Sequence, residues 1–134
     1  MENNVIFHGL KYGKELDKVF DEVHIAIGTL GIHRKNLKYG STLKVREYMA
    51  RGVPFVISYI DEDIEEEFPL FLKLQPDDNP VNMDKVIEFA KRVYEKYGRA
   101  VPSIMRNYAL RKMDYKVKVN KLLNFVLNLL NSRK

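Results

Sequence analysis

Residues 43–59 read LKVREYMARGVPFVISY and contain a complete helix-to-strand unit. Apolar residues recur at helical spacing in its first half, Gly52 then provides a residue suited to ending a helix, and Pro54 prevents the helix from continuing. Residues 53–59 are rich in β-branched and aromatic side chains, which favours a buried strand. The segment therefore predicts a helix followed directly by a strand inside a sheet.

The same alternation continues upstream of this unit. Short apolar runs at residues 5–7 and 24–28 predict two further strands, and helical spacing behind Gly13 predicts a helix between them. A long loop at residues 28–40 separates the second strand from the next helix. Because strands alternate with helices, we expect right-handed crossovers and an α/β fold, a Rossmann-like parallel sheet flanked by helices.

The downstream half is predicted to be mainly helical. Residues 61–67 are an acidic stretch, and its first part, residues 61–63, is interpreted as a solvated loop and not as a metal cluster. Residues 70–74 are predicted to form a short strand. Residues 83–97 have the pattern of an amphipathic helix, and Pro102 is placed in the first turn of another. The sequence thus predicts a helical C-terminal end to the α/β domain.

The final predicted helix, about residues 114–130, has an apolar arc wider than one stripe. Such a helix packs on more than one surface, which favours contact with a second domain or a second subunit. An ordinary core helix of the same domain is the alternative. We interpret residues 1–134 as a single partial Rossmann-like domain, with 114–132 as a terminal amphipathic helix.

Length and composition restrict the classes of protein further. The 134 residues suffice for one domain, and with 46% hydrophobic and 31% charged residues the chain is not a disordered tail. Cysteine is absent, which excludes disulfides, thiol nucleophiles and cysteine-ligated metals. No apolar run is long enough to span a membrane, and no signal-peptide pattern opens the chain. A cytoplasmic location is the expectation.

Charge is distributed unevenly along the chain. Residues 1–90 hold 11 basic and 16 acidic residues, whereas residues 91–134 hold 12 basic and 2 acidic residues. A basic C-terminal third suits an anionic partner such as a membrane surface or an acidic domain, and a solvated helical surface is the alternative. Nucleic acid is the weakest of these interpretations and is not expected as a partner. Peripheral contact with the inner face of the membrane stays open.

A second basic region lies between residues 28 and 46, which contain no acidic residue. This loop follows the carboxyl end of a strand and leads into a helix N-terminus, for which Ser41 or Thr42 is a suitable cap. Ligands of parallel sheets bind at that edge, and a helix N-terminus attracts anions. We therefore predict a phosphate or diphosphate site here, against the alternative of a solvated loop. Its cations are Arg34, Lys35, Lys38, Lys44 and Arg46.

Glu47 is the acidic residue that follows these cations. Its carboxylate has the chemistry to accept two hydrogen bonds from a vicinal diol such as ribose. The alternative is an ion pair with Arg51, four residues further along the helix. The three histidines lie on separate predicted elements, without zinc-site spacing, so we expect no metal.

Together these segments resemble a known family. Residues 7–9 (FHG), residues 24–28 (HIAIG) and residues 43–54 (LKVREYMARGVP) are similar to the C-terminal domain of the GT-B "group 1" retaining glycosyltransferases, which use nucleotide-sugar donors. Residues 105–109 and 114–130 are similar to the closing helices of that domain. The resemblance covers nearly the whole chain, and the helix-to-strand unit is its most specific part.

The resemblance implies roles for individual residues. Glu47 matches the second glutamate of a paired motif, which holds the donor ribose. Tyr39 stands where the first, sugar-contacting glutamate is expected, and the candidates to replace that glutamate are His33, Arg34 and Lys35. The remaining implied donor-binding residues fall into three groups, the nucleobase-side Phe7, His8 and Gly9, the loop residues His33, Arg34 and Lys35, and the diphosphate-side Ser41, Thr42, Leu43 and Lys44.

The implied function is binding of a nucleotide-sugar donor by part of an enzyme that transfers hexosyl groups. The acceptor domain of that family is missing, so we expect the chain alone to be inactive until an N-terminal domain or a second subunit completes it. No cofactor and no metal are required. The alternative function is a non-catalytic self-association module whose nucleotide site is vestigial.

Overall fold

The computed structural model describes residues 4–132 as a mixed α/β arrangement of five α-helices and a small parallel sheet. The helices are α1 (Gly13–Asp21), α2 (Leu43–Arg51), α3 (Met83–Tyr97), α4 (Val101–Lys112) and α5 (Tyr115–Asn131). The strands are β1 (Ala26–Ile27), β2 (Phe55–Ile57) and β3 (Phe71–Lys73). The predicted α/β class is confirmed, with a layout consistent with a Rossmann-like sheet.

The three strands pair in the order β1-β2-β3, and both pairings are parallel. Phe55 of β2 is in register with Ala26 of β1 on one side and with Phe71 of β3 on the other. Each of these strands was expected from its apolar run, but each is shorter than predicted. The parallel direction places all three carboxyl ends at one edge of the sheet.

The predicted strand at residues 5–7 is wrong. Residues 5–9 have no regular secondary structure, and the side chain of Phe7 is 93% exposed. A strand needs a neighbour that supplies hydrogen bonds and cover. Within the described residues, β1 pairs only with β2, so the apolar run adds no fourth strand.

Helix α2 follows the pattern that the sequence indicated. The Oγ1 atom of Thr42 accepts a hydrogen bond from the backbone N–H of Val45 at 3.4 Å, which caps the first turn. Gly52 ends the helix with φ of +78°, in the left-handed region that favours glycine. A Cβ atom at Gly52 would lie 2.5 Å from the Cα of Pro102, so this glycine also allows α4 to approach α2.

The core lies where β2, α2, α3 and α4 meet. All of β2 is buried, and the hydroxyl of Tyr48 on α2 donates a hydrogen bond to the carbonyl of Ile27 at 3.1 Å. The helices each contribute a buried apolar face. Those faces consist of Val45, Tyr48 and Met49 on α2, Val86, Phe89 and Val93 on α3, and Val101, Met105 and Tyr108 on α4.

Helix α5 differs from the others because none of its residues is buried. Asp114 caps its start by accepting a hydrogen bond from the backbone N–H of Lys116 at 2.8 Å. The helix is therefore not a core helix of this domain, which was one of the two interpretations of its sequence. Of the helices within residues 4–132, none combines the length and apolar character needed to cross a membrane.

Candidate functional site

A cleft of about 400 Å³ opens at the edge where the three carboxyl ends meet. Its floor is formed by residues that follow the strands, Leu30 after β1, Ser58 after β2 and Gln75 after β3. The opposite wall is the start of α3, with Asn82 and Lys85. Ligands of open parallel sheets bind at this edge, so the cleft lies where a small-molecule site is expected.

Two predicted site residues line this cleft. Residues 32–35 form a short 3₁₀ helix in the long loop, which presents His33 and Arg34. Both donate hydrogen bonds to Oδ1 of Asp78, from Nε2 of His33 at 3.1 Å and from Nε of Arg34 at 2.6 Å. These bonds, the one from Arg34 foremost, lower the pKa of Asp78. The positive charge of Arg34 in the cleft wall is thus partly neutralised by Asp78, in the turn before α3.

A second cleft of about 550 Å³ adjoins the first and shares four lining residues with it, His33, Ser58, Leu74 and Gln75. Lys38, Tyr59 and Lys73 belong to this second cleft alone. The Nδ1 atom of His33 is buried and makes no hydrogen bond within residues 4–132. Because His33 lines both clefts, its ring lies on the boundary between them. The ring is held by the hydrogen bond from its Nε2 atom to Asp78.

The predicted diphosphate-binding turn precedes α2 near the second cleft. Thr42 Oγ1 lies 2.9 Å from the hydroxyl of Tyr59, whose pKa is raised chiefly by burial. Leu43 is 87% exposed and Lys44 is also exposed. The first backbone N–H groups of a helix have no intrahelical acceptor, so those of Leu43 and Lys44 are available to an anion.

Arg46, one of the predicted phosphate-binding cations, has a different role. Its guanidinium pairs with Asp61 and Asp63 and donates a hydrogen bond to Ser41 Oγ at 2.7 Å. Burial lowers the pKa of Arg46, but the bond to Asp61 and the charges of both aspartates outweigh it, so the pKa is raised overall. This guanidinium is engaged within the fold and is not free for a diphosphate.

The acidic stretch was expected to be a solvated loop, and for Asp61 this is wrong. The side chain of Asp61 is only 1% exposed, since Arg46 compensates its charge. Asp63 pairs in addition with Lys118 of α5, which ties the start of that helix to the domain. Burial raises the pKa of Asp63, yet these two cations outweigh the effect and lower it below its ordinary value.

Glu47 lies on the exposed surface of α2 and forms an ion pair with Arg51, the alternative that their spacing of four residues suggested. Its Oε1 accepts a hydrogen bond from Nε of Arg51 at 3.0 Å. Arg51 also donates to Asp17 of α1 at 2.8 Å and covers the ring of Phe20. The side chain of Glu47 stays 44% exposed, so its carboxylate is accessible from solvent.

The other predicted residues are not gathered into these clefts. Phe7, His8 and Gly9 are exposed in the irregular segment before α1, and Lys35 is exposed at the end of the 3₁₀ helix. Tyr39, which stands in place of a family glutamate, forms an isolated parallel bridge with Ile60. The three residues predicted to lie beside the nucleobase are therefore not positioned by a strand.

Several cleft residues were missed, among them Ser58, Gln75 and Asp78. The signal for Gln75 was available, because it directly follows the strand predicted at residues 70–74, and the rule that placed the basic loop at the sheet edge applies to every strand. Ser58 was placed inside the strand predicted at residues 53–59, which in the structure ends at Ile57. Asp78 carries no such signal, since its contact with Arg34 joins positions far apart in the chain.

In the part of the chain that the structure describes, no group of three or more acidic or histidine side chains is arranged to hold a metal ion. Comparisons of the chain with protein-family models, with curated proteins and with solved structures found no match.

Proposed function

We propose that this chain binds the nucleoside-diphosphate part of a nucleotide-sugar donor and forms the donor side of a glycosyltransferase active site. The observation that carries the proposal is the start of α2. There the exposed residues Leu43 and Lys44 follow Ser41 and Thr42, beside the carboxyl ends of the parallel strands. Backbone N–H groups, hydroxyls and a lysine in one turn are suited to phosphate oxygens.

Charge around this turn supports an anionic ligand. Within residues 4–132, Lys38 and Lys44 form no ion pair, whereas Arg34 and Arg46 are already paired with aspartates. A diphosphate leaving group gains negative charge as the glycosidic bond breaks, and fixed positive charge stabilises that state. Lysines and the helix N-terminus supply the charge in this proposal, without a metal ion.

Glu47 is proposed to hold the ribose of the donor. It lies on α2, one turn beyond Leu43, and its carboxylate is accessible. Binding would exchange the hydrogen bond from Arg51 for two from the ribose hydroxyls. Arg51 would keep its bond to Asp17, so this exchange leaves α1 and α2 connected.

The proposed site is open, with its turn on the surface of the described chain. Glycosyl transfer requires exclusion of water and an oriented acceptor, which a single exposed wall does not provide. We therefore propose that this chain binds donor without turning it over and that another domain or subunit supplies the acceptor side.

Titration calorimetry with UDP, GDP and ADP, and with pyrophosphate as a plain anion, tests this proposal. One nucleoside diphosphate should bind more tightly than pyrophosphate. Glu47→Gln should weaken that binding roughly tenfold, as expected for one lost charged hydrogen bond. Glu88→Gln, an exposed change on α3, is the matched control and should bind as the unaltered chain does.

Two results would count against the proposal. One is the absence of heat with all four ligands. The other is equal affinity for pyrophosphate and every nucleotide, unaltered by Glu47→Gln, which would indicate an unspecific basic surface.

A further inference from the structure

Tyr59 lies directly against the turn that leads into α2. It follows β2 in the chain and is only 2% exposed. Its ring packs on Gly40, where a Cβ atom would lie 3.0 Å from Cδ2 and Cε2 of the ring. Its hydroxyl lies 2.9 Å from Oγ1 of Thr42. One buried side chain therefore contacts the residues on either side of Ser41.

The backbone holds the same turn against the residues that follow β2. The N–H of Gly40 donates a hydrogen bond to the carbonyl of Ile60 at 3.0 Å, and the N–H of Ile60 donates to the carbonyl of Lys38 at 3.1 Å. These two bonds form the parallel bridge between Tyr39 and Ile60. The start of the turn is thus held in place by the fold itself, which reduces the entropy lost when a ligand binds.

The available protons and lone pairs assign a direction to the hydrogen bond between Thr42 and Tyr59. A threonine hydroxyl has one proton to donate and two lone pairs with which to accept. Oγ1 of Thr42 already accepts from the backbone N–H of Val45. If Thr42 donated its proton to Tyr59, the phenolic proton would be buried without an acceptor among residues 4–132. Tyr59 is therefore the donor, and burial raises its pKa, so that the proton is present at neutral pH.

Both lone pairs of Thr42 are then occupied, and its own proton is left for another acceptor. Thr42 is partly exposed, so a ligand on the surface can take that role. Ser41 is in a related position, because a guanidinium only donates and Ser41 Oγ therefore accepts from Arg46 at 2.7 Å. The fold thus supplies donors to two neighbouring hydroxyls, which favours their donating outward.

We propose that Tyr59 is a positioning residue that makes Thr42 a dedicated hydrogen-bond donor, so that the turn selects ligands whose oxygens only accept. The oxygens of ionised phosphate and diphosphate groups are such acceptors. This inference rests on the proposed function, because it concerns the same turn. It adds a residue that acts on the ligand through Thr42.

Pyrophosphate titration of Tyr59→Phe tests this role, because the ring is kept and only the hydroxyl is lost. Tyr59→Phe should weaken binding about fivefold and Thr42→Val about tenfold. On the Thr42→Val background, Tyr59→Phe should change the affinity by less than about twofold, since it acts through the hydroxyl of Thr42. Tyr94→Phe is the matched control. It removes a phenolic hydrogen bond to the carbonyl of His24, before β1, and should bind as the unaltered chain does.

The side-chain rotamer of Thr42 tests the positioning without a ligand. Three-bond couplings to the γ-carbon of Thr42 should report a single χ1 rotamer in the unaltered chain. Tyr59→Phe should raise the share of other rotamers, and Tyr94→Phe should leave the couplings unchanged. A role of Tyr59 in packing alone would not move them, because phenylalanine retains the ring.

The possible results separate this inference from the proposed function. Equal binding of pyrophosphate by the unaltered chain and by Tyr59→Phe would overturn the role of Tyr59 and leave the donor site standing. A loss that persists in full on the Thr42→Val background would assign the effect to packing and overturn the inference as well. So would mixed Thr42 rotamers in the unaltered chain. No binding to the unaltered chain would contradict the proposed function and this inference together.

Discussion

Arg46 is the residue that joins three separate parts of the chain. Its guanidinium binds Asp61 and Asp63 of the acidic turn and Ser41 before α2, and Asp63 in turn binds Lys118 on α5. The buried Asp61 depends on this cation for compensation of its charge. Arg46 therefore stabilises the fold at the border of the proposed site, and Lys44 is the proposed ligand contact in its place.

Arg46→Met is expected to lower the free energy of unfolding by about 3 kcal/mol, because it leaves Asp61 buried without a counter-charge. Combining it with Asp61→Asn should recover part of that loss, since the two residues act on each other. Urea unfolding at neutral pH measures both effects. Lys44→Met, an exposed change on the same helix, serves as the control and should stay within about 0.5 kcal/mol of the unaltered chain. An equal effect of Arg46→Met and Lys44→Met would contradict this role.

Stability should fall in acid partly through Asp63. Its pKa in the folded protein is lowered, mainly because the cations of Lys118 and Arg46 outweigh the opposing effect of burial. A group with a depressed folded pKa stabilises the fold above its unfolded pKa, about 3.9, and loses that contribution as the pH falls through the folded value.

Asp63→Asn should therefore cost about 1 kcal/mol at pH 7, and the difference from the unaltered chain should shrink below about pH 4. Urea unfolding at a series of pH values measures the difference. A gap that stays constant down to pH 2, or widens in acid, would show that the charge of Asp63 does not stabilise the fold.

Helix α4 packs closely against α2 and holds it in the core. Gly52 permits it, because a Cβ atom there would lie 2.6 Å from Cβ of Pro102 as well as 2.5 Å from its Cα. Met49 and Met105 are fully buried within the same core. A change at Gly52 is expected to displace α2 and with it the turn at Ser41 and Thr42.

Gly52→Ala is expected to destabilise the domain by about 3 kcal/mol or more, since backbone strain at positive φ adds to the collision with Pro102. Gly9→Ala is the matched control, because φ is +66° there, close to the value at Gly52, and a Cβ atom would meet nothing within 4 Å. It should cost about 1 kcal/mol. Thermal or urea unfolding of the two variants gives the comparison, and equal losses would exclude a role for the close approach.

Local patterns were sufficient to predict helices and strands wherever one short segment contains the complete signal. Helix α2 is such a case, because its cap at Thr42 and its end at Gly52 lie within a dozen residues. The strand predicted at residues 5–7 failed, since a strand also depends on a neighbour that no local pattern reveals. The burial of Asp61 was not predicted for the same reason, because its partner Arg46 lies on another element.

The proposed donor site and the exposed apolar side chains of α5 lie on different parts of the molecule. The proposed donor site lies beside the carboxyl ends of the parallel strands, at the start of α2. Lys118 of α5 pairs with Asp63 of the acidic stretch, and no residue of α5 is buried. Changes to the exposed side chains of α5 should therefore leave the proposed donor site intact, because α5 has no buried residue.

Amide chemical shifts recorded during titration with nucleoside diphosphates show whether the ligand binds at the start of α2. We expect the best-binding nucleotide to shift the backbone N–H signals of Ser41, Thr42, Leu43 and Lys44 saturably, with a further shift at Glu47. Pyrophosphate should reproduce the shifts of the turn and leave Glu47 nearly unchanged. Shifts that are absent from residues 41–47, or that are confined to the cleft wall at Asp78 and α3, would contradict a donor site at the start of α2.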